Sequence, residues 1–302
     1  MKTHYILLLA IITSIAGCAP KENKIDLKAY QDEINAWHED RVEKELVSDQ
    51  GWLNLAGLYW LNEGFNTFGS DPSNEVVFPE GKIAPNAGTF VVQGGKVTME
   101  VAKGVEILKD SVPVTNEVIH IPDSAFYPVM SYGTLQWVII DRSGKLGVRL
   151  RDLNNDAVKN FKGVERYPID PKWRVEARFE KYEPIKHIEI TNILGQTYQS
   201  PCPGALVFTI DDVEYRLDAV DDGTEGEYYI LFGDKTNETE TYPSGRYMYV
   251  KYPDEEGKVI VDFNKGYNPP CAFTKFATCP LPPKQNGLNL AITAGEKNYG
   301  HH

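Results

Sequence analysis

From Gly51 onward the sequence is cut into short apolar and aromatic runs by turn residues, a spacing that leaves little room for long helices. Residues 52–61 form one run, ended by Asn62-Glu63-Gly64. Residues 65–68 follow, then Gly69-Ser70-Asp71-Pro72. Residues 89–92 and 96–101 flank Gly94-Gly95, and residues 135–141 and 146–150 flank Arg142-Ser143-Gly144-Lys145. Both pairs read as β-hairpins. Further on, residues 173–179, 187–191, 205–210, 214–219, 228–232 and 246–251 read as strands, with Asp211-Asp212 and Asp221-Asp222-Gly223 as turns. Strands so closely spaced favour antiparallel sandwich or barrel layers, so the chain is expected to be mainly β.

With 302 residues the chain is too long for one ordinary core and suits two domains. We expect a β-sandwich domain over 49–160 and a carboxyl-terminal β domain, sandwich or barrel, over 161–302, with a short helix or loop at 154–162 between them. The aromatic share of 11%, with 19 prolines and 25 glycines, points the same way. A helix is predicted over 26–48. Asp26 can cap it, and Leu27, Tyr30, Ile34, Trp37 and Arg41-Val42 recur at three- and four-residue steps. Its apolar face either packs on the body or binds a partner. Residues 262–283 hold five prolines and two cysteines with little periodicity, which suits a rigid functional loop or a structural wrap.

The amino terminus sets an expectation about location. Lys2 precedes an apolar run at residues 5–15, shorter than the roughly 20 residues a membrane span needs. Ile15-Ala16-Gly17-Cys18 follows and resembles the bacterial lipobox. That resemblance implies a signal peptide over 1–17 and a lipidated tether over 18–25. It further implies diacylglycerol on the Cys18 thiol, a palmitate-like acyl chain on the new amino terminus, and membrane lipid as a partner. Ala19, rather than Asp, after the cysteine implies the outer membrane of a bacterial envelope. An ordinary signal peptide with an incidental Cys18 is the alternative. The formal net charge of −12 argues against nucleic acid as a partner.

No motif implies a cofactor or a metal. The sequence has no Gly-rich phosphate loop, no dinucleotide fingerprint, no His-Glu-x-x-His helix and no Gly-x-Ser-x-Gly elbow. Asp152, Asn154 and Asp156 begin like a calcium loop, but Ala157 stands where the turn needs glycine. With Cys18 used by lipid, Cys202, Cys271 and Cys279 remain, an odd number that permits at most one disulfide. Cys271–Cys279 is the candidate pair, and free buried thiols are the other reading.

Several motifs carry a family resemblance. They are Phe232-Gly233-Asp234-Lys235-Thr236, Thr241-Tyr242-Pro243-Ser244-Gly245-Arg246, and the run from Asp262-Phe263-Asn264-Lys265-Gly266-Tyr267-Asn268-Pro269-Pro270-Cys271 to Thr278-Cys279-Pro280. Asn286 and Ala294-Gly295-Glu296-Lys297 complete the set, with Gly51-Trp52-Leu53 and Gly147-Val148-Arg149-Leu150-Arg151-Asp152 earlier in the chain. Together they resemble domain-of-unknown-function family 1684 over about residues 45–300, which brings no activity with it. A second resemblance, over about 58–121, is to the forkhead-associated β-sandwich. It rests on Glu63-Gly64, Phe68-Gly69, Asn74-Glu75-Val76 and Gly94-Gly95-Lys96. Ser70 replaces the arginine that such domains use for phosphothreonine, and Pro85-Asn86-Ala87-Gly88 replaces their Ser and His, so phosphopeptide binding does not carry over.

The polar residues of the family motifs are the candidate site: Asp234, Thr236, Tyr242, Arg246, Asp262, Asn264, Asn268, Cys271, Asn286 and Glu296. A buried Arg246 needs a carboxylate, which Asp234 or Asp262 could supply. Three readings stay open. A binding module for a small molecule, glycan or envelope protein predicts an aromatic groove drawing on Tyr242, Tyr247, Tyr249 and Tyr252. A hydrolase-like enzyme predicts a pocket with Asp234 or Asp262 as base, Arg246 holding the substrate and Cys271 as an optional nucleophile. A scaffold predicts a polar network that pins the proline loop to the sheet.

Overall fold

The computed structural model describes residues 25–125 and 127–300; Cys18, the leader and the tether as far as residue 24 lie outside them. The first element is α1 (Leu27–Arg41). The Asp26 carboxylate accepts from the amides of Lys28 and Ala29 at 3.0 and 3.1 Å, satisfying two of the N–H groups a helix start leaves unpaired. Tyr30, Ile34, His38 and Arg41 fall on one face and are buried. The helix expected as far as residue 48 keeps its course after Arg41 but widens to π geometry over Val42–Val47, burying Leu46.

The amino-terminal strands are β1 (Leu55–Trp60), β2 (Gly64–Gly69), β3 (Val76–Val77), β4 (Gly88–Gln93), β5 (Lys96–Val101), β6 (Ile107–Lys109), β7 (Val112–Val114), β8 (Asn116–His120), β9 (Met130–Tyr132), β10 (Leu135–Arg142) and β11 (Lys145–Asp152). They form a six-stranded sheet in the order β1-β11-β10-β9-β6-β7 and a five-stranded sheet in the order β3-β2-β4-β5-β8. All pairings are antiparallel except β2 with β3. Both sheets send side chains into one core, where Phe68 stacks on Phe90 at 4.2 Å and Trp137 meets Phe78 edge-on at 5.4 Å. On β11, Leu146, Val148 and Leu150 point into that core. The period of two therefore sends Gly147, Arg149 and Arg151 to the outer face.

After α2 (Asp156–Lys159) come β12 (Arg174–Thr191), β13 (Thr197–Ile210), β14 (Val213–Ala219), β15 (Glu227–Phe232), β16 (Arg246–Lys251) and β17 (Lys258–Asp262). The order β14-β13-β12-β17 makes a half-barrel sheet, and β15-β16 is a two-stranded ribbon tied to it by the Val220–Tyr229 bridge. Where the sequence predicts two strands, at 173–179 and 187–191, the chain runs as one. Pairing with β13 lapses only between Lys181 and Lys186, around Pro184, which has no N–H to donate. Leu206, Phe208, Leu217, Ile230, Phe232, Val261 and Phe263 fill the core enclosed by these strands.

Residues 263–299 wrap the body with short 3₁₀ turns and isolated bridges rather than strands. The wrap passes very close to itself at Gly295, which has φ +74°; a Cβ there would lie 2.4 Å from the Gly266 carbonyl oxygen. Two further apolar clusters join the wrap to the rest of the molecule. In one of them Trp52 meets Phe273 at 5.8 Å and Phe273 meets Tyr299 at 4.7 Å. No helix among the described residues is long and apolar enough to cross a membrane.

Candidate functional site

The motif residues do not gather at one sheet end; they divide into separate buried knots. In the first, Arg246 is fully buried at the start of β16. Its Nη2 donates to Asp234 Oδ2 at 2.7 Å and to the Ile292 carbonyl at 3.0 Å, and its Nη1 donates to the carbonyls of Ala294 and Glu296. The other Asp234 oxygen accepts from the Thr236 amide (2.8 Å), the Thr236 hydroxyl (2.6 Å) and the Ile292 amide (3.2 Å). Asp262 is elsewhere. It accepts the Tyr30 hydroxyl at 2.9 Å, while Asn264 donates to both Tyr30 and the Asp170 carbonyl at 2.9 Å.

A third knot holds α1 to the wrap. Glu296, fully buried, receives Arg41 at 2.6 Å and the Asn268 amide at 2.8 Å, and His38 Nδ1 lies 3.6 Å away. Burial pushes the Glu296 carboxyl up against the pull of Arg41. Burial, helped by Arg166 and Arg41, pushes the His38 imidazole down to about 4. Asn286 is also spoken for: it accepts from the Asp218 amide and donates to the carbonyls of Asp218 and Leu231. Tyr242 packs in the apolar cluster of Leu46, Leu53 and Phe273.

Cys271 and Cys279 are joined by a disulfide, with Cα atoms 6.1 Å apart, and Cys202 is free and buried. A disulfide sulfur has no thiolate to offer, so Cys271 is not the nucleophile the hydrolase reading allowed. Asp234 and Arg246 do meet, as expected, but inside the protein, with both Asp234 oxygens and both terminal nitrogens of Arg246 engaged by neighbours. A carboxylate with its acceptor positions filled cannot serve as a base for a ligand.

A cleft of about 410 Å³ lies instead where the outer face of β10 and β11 meets the ribbon β15-β16 and the wrap. One wall carries Arg142, Arg149 and Arg151, and the other carries Tyr229, Tyr247, Tyr249 and Tyr267. Arg149 faces the same way as Arg151 because they are two apart on one strand. Thr278 sits between the walls: its hydroxyl accepts from Arg142 Nε at 3.2 Å and Arg149 Nη2 at 3.4 Å. Cys279 lines the cleft next to Thr278, so the disulfide fixes that segment in place.

The three arginines have no carboxylate partner among the described residues, although acidic residues outnumber basic ones by 43 to 31 in the whole chain. The Nε atoms of Arg149 and Arg151 are buried without a hydrogen-bond partner. Burial first, then the charges of Arg142 and Arg151, push the Arg149 guanidinium down to about 10, still charged at neutral pH. Burial also lowers Arg151. Clustered like charges with unmade hydrogen bonds are costly to the fold, and an anion relieves both costs at once. Opposite them, Tyr229 stacks on Tyr249 at 4.9 Å and meets Tyr247 edge-on at 5.2 Å, and the Tyr247 hydroxyl donates to the Pro280 carbonyl. Of the four tyrosines expected to line a groove, Tyr247 and Tyr249 do so, joined by Tyr229 and Tyr267. Tyr252 faces a different hollow, beside α1.

Residues 159–297 match the family described as "Protein of unknown function (DUF1684)". This match bears out the family resemblance carried by the motifs that fall within it. All three knots reach into the family region, and so do the tyrosines and Thr278 of the cleft. The arginines stand just before it, on β10 and β11. A solution NMR structure of an uncharacterized protein of Haloarcula marismortui is similar at 29% identity and a TM-score of 0.40, covering 48% of this chain and 80% of that one. No curated protein matches the chain.

The arginines of β11 are visible in the sequence as an alternation of Val148, Arg149, Leu150, Arg151, which by itself says one face of a strand. Nothing local says what that face meets. Its opposite wall comes from residues some 80 to 130 positions later, as in the contacts of Arg149 and Arg142 with Thr278.

Proposed function

We propose that the protein is a binding protein for an anionic small molecule, held in the arginine–tyrosine cleft. The observation that carries this reading is that, among the described residues, no carboxylate pairs with Arg142, Arg149 or Arg151, the one acid lining the cleft, Glu45, being paired with Arg41, while two of the arginine Nε atoms are buried and unpartnered. Guanidinium groups present planar donor forks that match carboxylate and phosphate oxygens, and the tyrosine wall offers flat apolar surface for the body of the ligand. The cleft lies in the range of about 300–1,000 Å³ typical of small-molecule sites. Titration calorimetry of the purified protein against simple carboxylates and inorganic phosphate tests it. Arg149→Gln should weaken binding about tenfold or more, as befits a lost charge-assisted hydrogen bond, and added salt should weaken it too. Binding that ignores both changes would remove the proposal.

The same reading places the protein in a bacterial envelope, lipid-anchored through Cys18. The lipobox-like Ile15-Ala16-Gly17-Cys18 supports it, and so does the disulfide, which suits an oxidising compartment. Labelled palmitate should enter the wild-type chain in cells and be absent from Cys18→Ser.

A further inference from the structure

The arginine cleft does not end at its tyrosine wall. A second hollow of about 460 Å³ adjoins it, and the two share Tyr229, Tyr249 and Pro280. The second hollow has a different character. Tyr198 and Ser200 enter it from one face of β13, being two residues apart on the strand. Asp222 enters from the turn after β14 and accepts the Tyr249 hydroxyl at 2.8 Å. No arginine or lysine lines it. Tyr198 and Tyr249 are among the large apolar side chains that stay exposed, at 42% and 36%.

These features constrain a ligand that spans both hollows. One end must be an anion, to satisfy the arginines. The other end must be uncharged, because a second anion would face the Asp222 carboxylate. It must also carry hydroxyl donors for Asp222 and Ser200, together with flat C–H faces to lie on tyrosine rings. A fatty chain fails on the polar groups, and a polyanion fails on Asp222. We propose, building on the anion-binding reading above, that the ligand is an acidic oligosaccharide: a carboxylate-bearing sugar in the arginine cleft and a neutral sugar on the Tyr249–Tyr198 side.

Calorimetry on the purified protein separates this from the simpler reading. The probes are inorganic phosphate, glucuronic acid, and a disaccharide of glucuronic acid with one neutral hexose. The disaccharide should bind about tenfold more tightly than glucuronic acid, the size of a good ring contact plus a hydrogen bond. Tyr198→Ala should erase that gain and leave the affinity for glucuronic acid unchanged, whereas Arg149→Gln should weaken both sugars. Tyr198 is exposed, and an unchanged melting temperature verifies that the variant folds. If phosphate or glucuronic acid binds through Arg149 but the disaccharide is no tighter, or stays tighter in Tyr198→Ala, the oligosaccharide proposal is overturned and the anion cleft stands. If none of the three binds, both fall.

Discussion

Arg246 and Arg149 are the same side chain in opposite circumstances. Arg246 donates to a carboxylate and three carbonyls, all within the protein. Arg149 has one long contact, to a threonine hydroxyl at 3.4 Å, and two other arginines for company. The first has both terminal nitrogens spent on Asp234 and on holding the wrap at Ile292, Ala294 and Glu296 against β16, with only its Nε left unpartnered. The second keeps donors free at the edge of a cleft. A guanidinium whose charge is paired and whose terminal nitrogens are all engaged is part of the scaffold, and one without a counter-charge beside a cleft is a place for something else to bind.

That contrast can be broken most forcefully at Arg246. Arg246→Ala leaves Asp234 buried without its counter-charge and should cost about 3–5 kcal/mol, read as a large fall in the urea midpoint. A midpoint unchanged within error would mean that the knot holds nothing. Removing the disulfide in a Cys271→Ser, Cys279→Ser double variant should cost about 2–3 kcal/mol, the amount expected for so short a loop. It should also loosen Thr278, and so weaken anion binding at the same time; a stability loss with binding intact would detach the loop from the cleft.

The His38 contribution sharpens the comparison through pH. Its folded pKa is depressed to about 4 from 6.5. The unfolded chain therefore takes up a proton that the folded protein refuses, and stability present above pH 6.5 is lost as pH falls toward 4. The loss should be on the order of 2 kcal/mol. Glu296, whose carboxyl is pushed up, acts in the opposite sense: its effect on stability is lost as pH rises from 4.5 through its raised value. The difference between wild type and His38→Gln isolates the imidazole, and thermal melts at pH 7 and 4.5 that shift equally in both would refute the assignment. The smallest effect belongs to the cleft. Arg149→Gln removes a repelled charge, so its stability should stay within about 0.5 kcal/mol of wild type or rise. A fall of the Arg246 kind would make the cleft scaffold as well.

The two regions also differ in how far they can be read from residues. The hairpins around Gly94-Gly95 and Arg142-Ser143-Gly144-Lys145 appear where turn chemistry and alternation put them, as β4-β5 and β10-β11. The strands that escape notice are short, such as β6, β7 and β9, or carry little alternation. The motif polar residues stand out because they cluster in sequence. Their clustering reflects a wrap that lacks strands and must satisfy its backbone through side chains, as Asn268, Asn286 and Arg246 do. Density of polar motif residues marks a structural need there. The cleft arginines look unremarkable by comparison.

Local order was decided by the chain itself: a capped amphipathic helix at Asp26, period-two strands cut by glycine and aspartate turns, and a mainly β body. These depend on neighbours within a few residues, where backbone preference and alternation operate. The pairing of Arg246 with Asp234 rather than Asp262, the Tyr30 contact that claims Asp262, and the meeting of Arg149 with Thr278 were decided only by packing. Each joins groups whose separation in sequence says nothing about their separation in space, and burial then determines which donors are used up and which are left to bind.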